Sequence, residues 1–147
     1  MRARSSGSNP ASTRNAITRA RNNCSSYCRS TPRACHYSEA NGWYEFNIAS
    51  DGTYSLLFGQ WLSAGVAKYR PILNDGSEYL QIGNLNYEIG LTCADDILFL
   101  HINGKLFRKI DVARYGLTGG KIGITASSFD ETPTNVIFDW VKVNPPE

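Results

Sequence analysis

The sequence predicts an all-β protein, an antiparallel sandwich or barrel, and three observations carry the prediction. Short runs of alternating apolar and polar residues follow one another from about His36 onward. Turn signals built from Gly, Asn, Asp and Pro separate these runs at intervals of about ten residues. Helical patterning is scarce, and no internal repeat or heptad interrupts the pattern.

A chain of 147 residues with 41% hydrophobic residues fits one domain with a core of its own. No apolar run is long enough for a membrane-spanning helix, and the N-terminus lacks the apolar stretch of a signal peptide. The net charge of +2 conceals an asymmetry. Residues 1–35 hold seven arginines (Arg2, Arg4, Arg14, Arg19, Arg21, Arg29 and Arg33) and no acid, while the remainder holds 8 basic and 13 acidic groups. Two regions follow: an Arg/Ser/Asn-rich segment, 1–34, and a β body, 35–147. Ile17 is the only large aliphatic residue after Met1 in the first region. Burial there cannot offset the entropy of ordering, so the expectation is a poorly ordered segment or altered opening strands. Such a segment binds polyanions weakly and without specificity, and its removal leaves the sheet signal of the body unchanged.

The elements of the body follow in order. "WYEFNIAS" alternates, with Tyr44, Phe46 and Ile48 on one side and Trp43, Glu45 and Asn47 on the other. Asp51-Gly52 turns the chain and "TYSLLFG" returns. Residues 60–77 look irregular, because Gly65, Pro71 and Asn74-Asp75-Gly76 are turn signals. "NYEIGLTC" groups Tyr87, Ile89, Leu91 and Cys93 on one face, and Ala94-Asp95-Asp96 turns into the next run. "LFLHINGKLFRKID" (residues 98–111) is a hairpin, since Asn103-Gly104 suits a type I′ turn with positive φ at both central residues. A two-residue loop sets Ile102 opposite Lys105, His101 opposite Leu106 and Leu100 opposite Phe107. Leu98, Leu100, Ile102 and Phe107 then share the core face. Ile97, Phe99, His101 and Leu106 share the outer face, which makes His101 a surface residue of the hairpin and not a ligand or a base. "YGLTGG" is a loop, "KIGITASS" a strand, "FDETPTN" a loop and "VIFDWVKV" the closing strand.

The order "CHYSEANGWYEFNIASDGTYSL", "NYEIGLTCADDILFLHINGKLFRKID" and "GGKIGITASSFDETPTNVIFDWVKV" resembles the concanavalin A-like, laminin-G-like jelly rolls. It is most similar to the bacterial group that includes 3-keto-disaccharide hydrolase domains. The resemblance spans about residues 34–143 and implies a two-sheet antiparallel jelly-roll sandwich. Such folds begin with further strands, which residues 1–34 do not resemble, so the chain is expected to be N-terminally altered or incomplete. Localisation outside the cytoplasm is favoured if the chain is a piece of a larger surface or secreted protein.

The resemblance also places Cys35 and Cys93 at strand positions where a disulfide, or a neighbouring free pair, is expected. The four cysteines alone allow three full pairings. Cys24, Cys28, Cys35 and His36 can be drawn as a zinc site, but their spacing is irregular and no second paired knuckle follows, so no metal and no cofactor is expected. Laminarinase-like relatives use two Glu flanking an Asp on one strand. No such alternation exists here. Glu45 lacks a second Glu, Asp95-Asp96 and Asp130-Glu131 lie in turns or loops, and Asp139 matches a structural position of the closing strand. No catalytic residue is assigned.

Recognition remains. Trp43, Trp61, Tyr69 and Tyr79 are the candidate ligand-binding residues, because exposed rings suit the apolar faces of sugars. The function expected is a non-catalytic module that binds carbohydrate or a protein surface. The alternatives are a glycan hydrolase of the 3-keto-disaccharide or laminarinase-like kind, and a structural or incomplete accessory domain.

Overall fold

The computed structural model describes residues 14–22, 28–82, 86–94, 96–117, 119–124, 127–128 and 136–144. The strands are β1 (Arg14–Asn22), β2 (Cys28–Ser38), β3 (Gly42–Ala49), β4 (Thr53–Ser63), β5 (Val66–Gly76), β6 (Asn86–Cys93), β7 (Ile97–Ile102), β8 (Lys105–Asp111), β9 (Lys121–Ile124), β10 (Ser127–Ser128) and β11 (Val136–Asn144). They form two antiparallel sheets. The first has the order β11-β1-β6-β7-β8, and the second β10-β2-β3-β4-β5, with β9 also on β2. Among the described residues the only helix is a single 3-10 turn, Ala113–Tyr115. No described helix is long and apolar enough to cross a membrane.

The core lies between the sheets and follows the alternation of the sequence. Tyr44, Phe46 and Ile48 of β3 and Tyr54, Leu56 and Phe58 of β4 face Tyr87, Ile89 and Leu91 of β6 and Leu98, Leu100 and Ile102 of β7. All are buried, and each contributes about 1.5–3 kcal/mol relative to an exposed side chain. Cys35 and Cys93 form a disulfide with Cα atoms 6.4 Å apart. It joins β2 in one sheet to β6 in the other, so the pair sits on facing strands and not on hydrogen-bonded neighbours.

The β7–β8 hairpin has positive φ at both turn residues, 51° at Asn103 and 75° at Gly104. Ile102 pairs Lys105 and His101 pairs Leu106, as the loop length requires. One residue further the register departs from expectation. Leu100 pairs Arg108, leaving Phe107 as the extra residue of a β-bulge. Phe107 still packs against the core, and three residues later so does Ile110. The bulge also turns Arg108 toward the second sheet, where its Nε donates to the Tyr54 hydroxyl at 2.7 Å.

Residues 60–77, expected to be irregular, are the end of β4, a turn at residues 64–65 and the whole of β5. Gly65 takes the turn with φ 79°. Pro71 is tolerated because β5 is an edge strand and its register shifts there: Leu56 pairs Leu73 while Leu57 pairs Pro71.

The arginine-rich start contributes backbone to both sheets. β1 pairs β6 on one side and β11 on the other. Ala16, Thr18 and Ala20 are in register with the core residues Leu91, Ile89 and Tyr87. Arg19 and Arg21 are in register with Glu88 and Asn86, on the opposite phase of β6. Arg14 is in register with Cys93, and Ile17, the one large aliphatic of the strand, with Gly90. The opening strands of the sandwich therefore lie within the arginine-rich stretch, and β2 runs across the boundary expected at residue 34. Residues 1–13 and 23–27, with Cys24 of the zinc drawing, and Asp95 and Asp130-Glu131 lie outside the described residues.

Candidate functional site

The outer face of the second sheet carries a cluster of rings around Trp43. Trp43 occupies the non-core phase of β3 and pairs with Gly59 of β4. A Cβ on Gly59 would stand 2.5 Å from the Trp43 ring, so the absence of a side chain lets the indole lie against the strand. Three rings surround it, with centroids at 5.1 Å (Trp61), 5.6 Å (Tyr37) and 5.8 Å (Tyr69, edge-on). The Trp61 Nε1–H donates to the Tyr37 hydroxyl at 3.2 Å. Under this cover Trp43 is only 4% exposed, whereas Trp61 and Tyr69 keep 39% and 47% of their surface in solvent.

Three of the four aromatic candidates are thus brought together, with different roles. Trp43 is buried beneath, and Trp61 and Tyr69 remain exposed beside it. Tyr79 stands apart, its ring 6.4 Å from Phe107.

A polar strip leads away from the rings along β3 and β4. Glu45 is its hub: Oε2 accepts from Trp43 Nε1 at 3.2 Å and Oε1 from Asn47 Nδ2 at 3.2 Å. Asn47 Nδ2 also donates to Ser55 Oγ at 3.4 Å. Burial raises the Tyr69 pKa, and the charge of Glu45 and a hydrogen bond to it raise it further. Asn47, Thr53, Ser55 and Asn74 line a shallow depression at the far end of the strip. The arrangement offers apolar ring faces beside fixed donors and acceptors. Among the described residues of β3, β4 and β5, Glu45 is the one carboxylate on this face, and three groups already occupy it. A paired acid and base needs two.

Tyr37, Glu45, Asn47 and Gly59 were not legible as site residues in the sequence. The signal available was Trp43-x-Glu45-x-Asn47 on the strand phase opposite the core. His101 lies on the outer face of the other sheet, over Gly90, where an added Cβ would stand 2.9 Å from the His101 Cβ. Burial lowers its pKa.

No protein-family model matches the chain, and no curated protein sequence matches it. Solved structures do. A Bacteroides ovatus mixed-linkage glucan GH16 protein, solved with its G4G4G3G product, superposes with a TM-score of 0.63 at 14% identity, covering 94% of this chain and 72% of that one. Sheep galectin-11 in complex with glycerol gives 0.57 at 10% identity, covering 92% and 95%. The carbohydrate-binding module CBM66 of Bacillus subtilis gives 0.57 at 9% identity, covering 92% and 77%. At these identities the likeness is one of fold. The two antiparallel sheets, with a likeness to these three structures over nearly the whole chain, give the protein the fold of a concanavalin A-like jelly-roll sandwich.

Proposed function

We propose that the chain binds a neutral glycan, without cleaving it, on the outer face of its second sheet. The observation that carries this is the pair of exposed rings, Trp61 and Tyr69, packed against a buried Trp43 beside the Glu45–Asn47–Ser55 strip. Sugar rings present apolar C–H faces and peripheral hydroxyls. The exposed aromatic surface suits the faces, and the Asn47 and Ser55 side chains suit the hydroxyls. Carbohydrate is also named for structures of the same fold: a glucan product in the GH16 protein, and carbohydrate in the name of CBM66.

The test is calorimetry of the full chain with a soluble mixed-linkage β-glucan, alongside a β-glucan reducing-end assay. Binding weakens about tenfold in Trp61→Ala and in Tyr69→Ala, with the far-UV sheet signal intact. His101→Gln, on the other sheet, leaves it unchanged. Equal binding by the wild type, Trp61→Ala and Tyr69→Ala overturns the site. Reducing ends that appear with the wild type and vanish with Glu45→Gln replace binding with catalysis.

A further inference from the structure

Strand β2 contains a joint that regular alternation would not build. With Cys35 in the core, the next residue belongs outside. Instead, β2 shifts register against β3 between Cys35 and Ser38, and against β9 between Ala34 and Tyr37. His36 at the joint has φ 53°, in the left-handed region. The other described non-glycine residue with positive φ, Asn103, is in a hairpin turn. A left-handed residue within a strand costs energy and persists only where its surroundings enforce it. Gly120 is part of that enforcement, since a Cβ there would stand 2.6 Å from the His36 carbonyl carbon.

The result is a buried imidazole, edge-on to Tyr44 with centroids 5.9 Å apart, at the inter-sheet bridge. A ring nitrogen and the sulfurs of Cys35 and Cys93 all lie within 4.8 Å of one another. Nδ1 is 2.7 Å from the Gly119 carbonyl oxygen and Nε2 is 3.3 Å from that of Ala94. Both oxygens only accept, and a neutral imidazole has one N–H. In the tautomer that gives the proton to the shorter contact, Nδ1–H donates to Gly119 and Nε2 is the nitrogen left to bind a metal in exchange for its contact with Ala94. An Nδ1–H held by a backbone carbonyl is also how a metal-ligating histidine is oriented.

We propose that this joint is a redox-gated metal site. Once the Cys35–Cys93 disulfide is reduced, both sulfurs and His36 Nε2 bind one Zn²⁺. Two molecules of a thiol reductant supply two electrons and two protons, the S–S bond breaks to two thiols, and the reductant leaves as its own disulfide. Each cysteine then loses its proton as its sulfur bonds the metal, so binding releases two protons and strengthens as pH rises. Cα atoms 6.4 Å apart lie toward the wide end for a disulfide, leaving room for the sulfurs to separate to Zn–S bonds of about 2.3 Å. One covalent clamp between the sheets is exchanged for another, and the oxidised chain takes no metal.

The test uses the full chain carrying Cys24→Ser and Cys28→Ser, reduced with a phosphine under nitrogen and titrated with Co²⁺ as the optical stand-in for Zn²⁺. One Co²⁺ per chain, with thiolate charge-transfer and tetrahedral visible bands that Zn²⁺ abolishes, is expected, and the oxidised chain shows neither band. His36→Asn removes the imidazole but tolerates the left-handed backbone, and it weakens binding tenfold or more, as an order-of-magnitude expectation. Absence of the bands in a reduced chain that keeps its sheet signal overturns the proposal. So does an affinity unchanged by His36→Asn. A reduced chain that loses its sheet signal and does not regain it with Zn²⁺ also overturns it.

Discussion

At the scale of single residues, Tyr44 and Gly59 carry the sharpest consequences. Burial pushes the Tyr44 hydroxyl up to about 12, with a backbone hydrogen bond from Leu117 opposing and the charges of Tyr115 and Asp96 adding. The folded chain therefore holds this proton more tightly than the unfolded chain does. Its contribution is complete below the ordinary value of 10.0 and is lost as pH rises toward about 12. Over that window the unfolding free energy from urea denaturation falls by on the order of 1 kcal/mol per pH unit, and Tyr44→Phe flattens the slope. Tyr69, also raised, acts in the same direction. Gly59→Ala drives a methyl group into the Trp43 ring. The expected cost is about 1–3 kcal/mol, with a changed near-UV dichroism of the indole and weaker glycan binding, although Gly59 touches no ligand. An unchanged near-UV spectrum would show that Trp43 does not rest on β4.

At the scale of elements, how legible each strand was follows from where it lies. β6 and β7 alternate in burial, and β3 sets apolar residues on its core face against Trp43, Glu45 and Asn47 on the other, so alternation marks all three plainly. Tyr44, Phe46, Ile48, Ile89, Leu91, Leu98 and Leu100 all occupy the core as their phase predicted. β5 is an exposed edge, so nothing imposes alternation on it, and Pro71 and Asn74-Asp75-Gly76 resemble loop residues while standing in a strand. The bulge at Phe107 was hidden because one extra residue leaves no mark in composition. The ring cluster was half legible. Trp43, Trp61 and Tyr69 are conspicuous by type, whereas Tyr37 reaches the cluster only through the register shift after Cys35. The β7–β8 turn makes its own prediction. Gly104 has open space around it but a φ of 75°, so Gly104→Val is penalised by backbone strain alone. A loss of about 1–2 kcal/mol in denaturant unfolding is expected, and an unchanged midpoint would contradict the turn geometry.

At the scale of the whole molecule, the described residues hold the two sheets together by the core, by the Cys35–Cys93 disulfide and by polar contacts such as Arg108 to Tyr54. Cys35→Ala with Cys93→Ala removes a link across 58 residues and is expected to cost about 2–4 kcal/mol, read as a lower urea midpoint under oxidising conditions. Deleting residues 1–27 is the harsher test. Charge and composition favour a dispensable segment there, but β1 stands between β6 and β11. Its loss leaves β11 without its described neighbour and opens an edge on β6. A collapse of the far-UV sheet signal is expected, and a signal that survives the deletion would show that the body closes without β1.

The position of β1 also sets a timetable. The ribosome delivers β1 well before β6, and β11 later still, yet β1 bonds to both. At about 5–20 residues per second, several seconds separate the strand from each of its neighbours. Throughout that interval the stretch has neither partner strand, and cations are a residue type that disfavours pairing of open strand edges with other chains. The charge that makes this stretch look like a tail thus suits a strand whose two neighbours are made later.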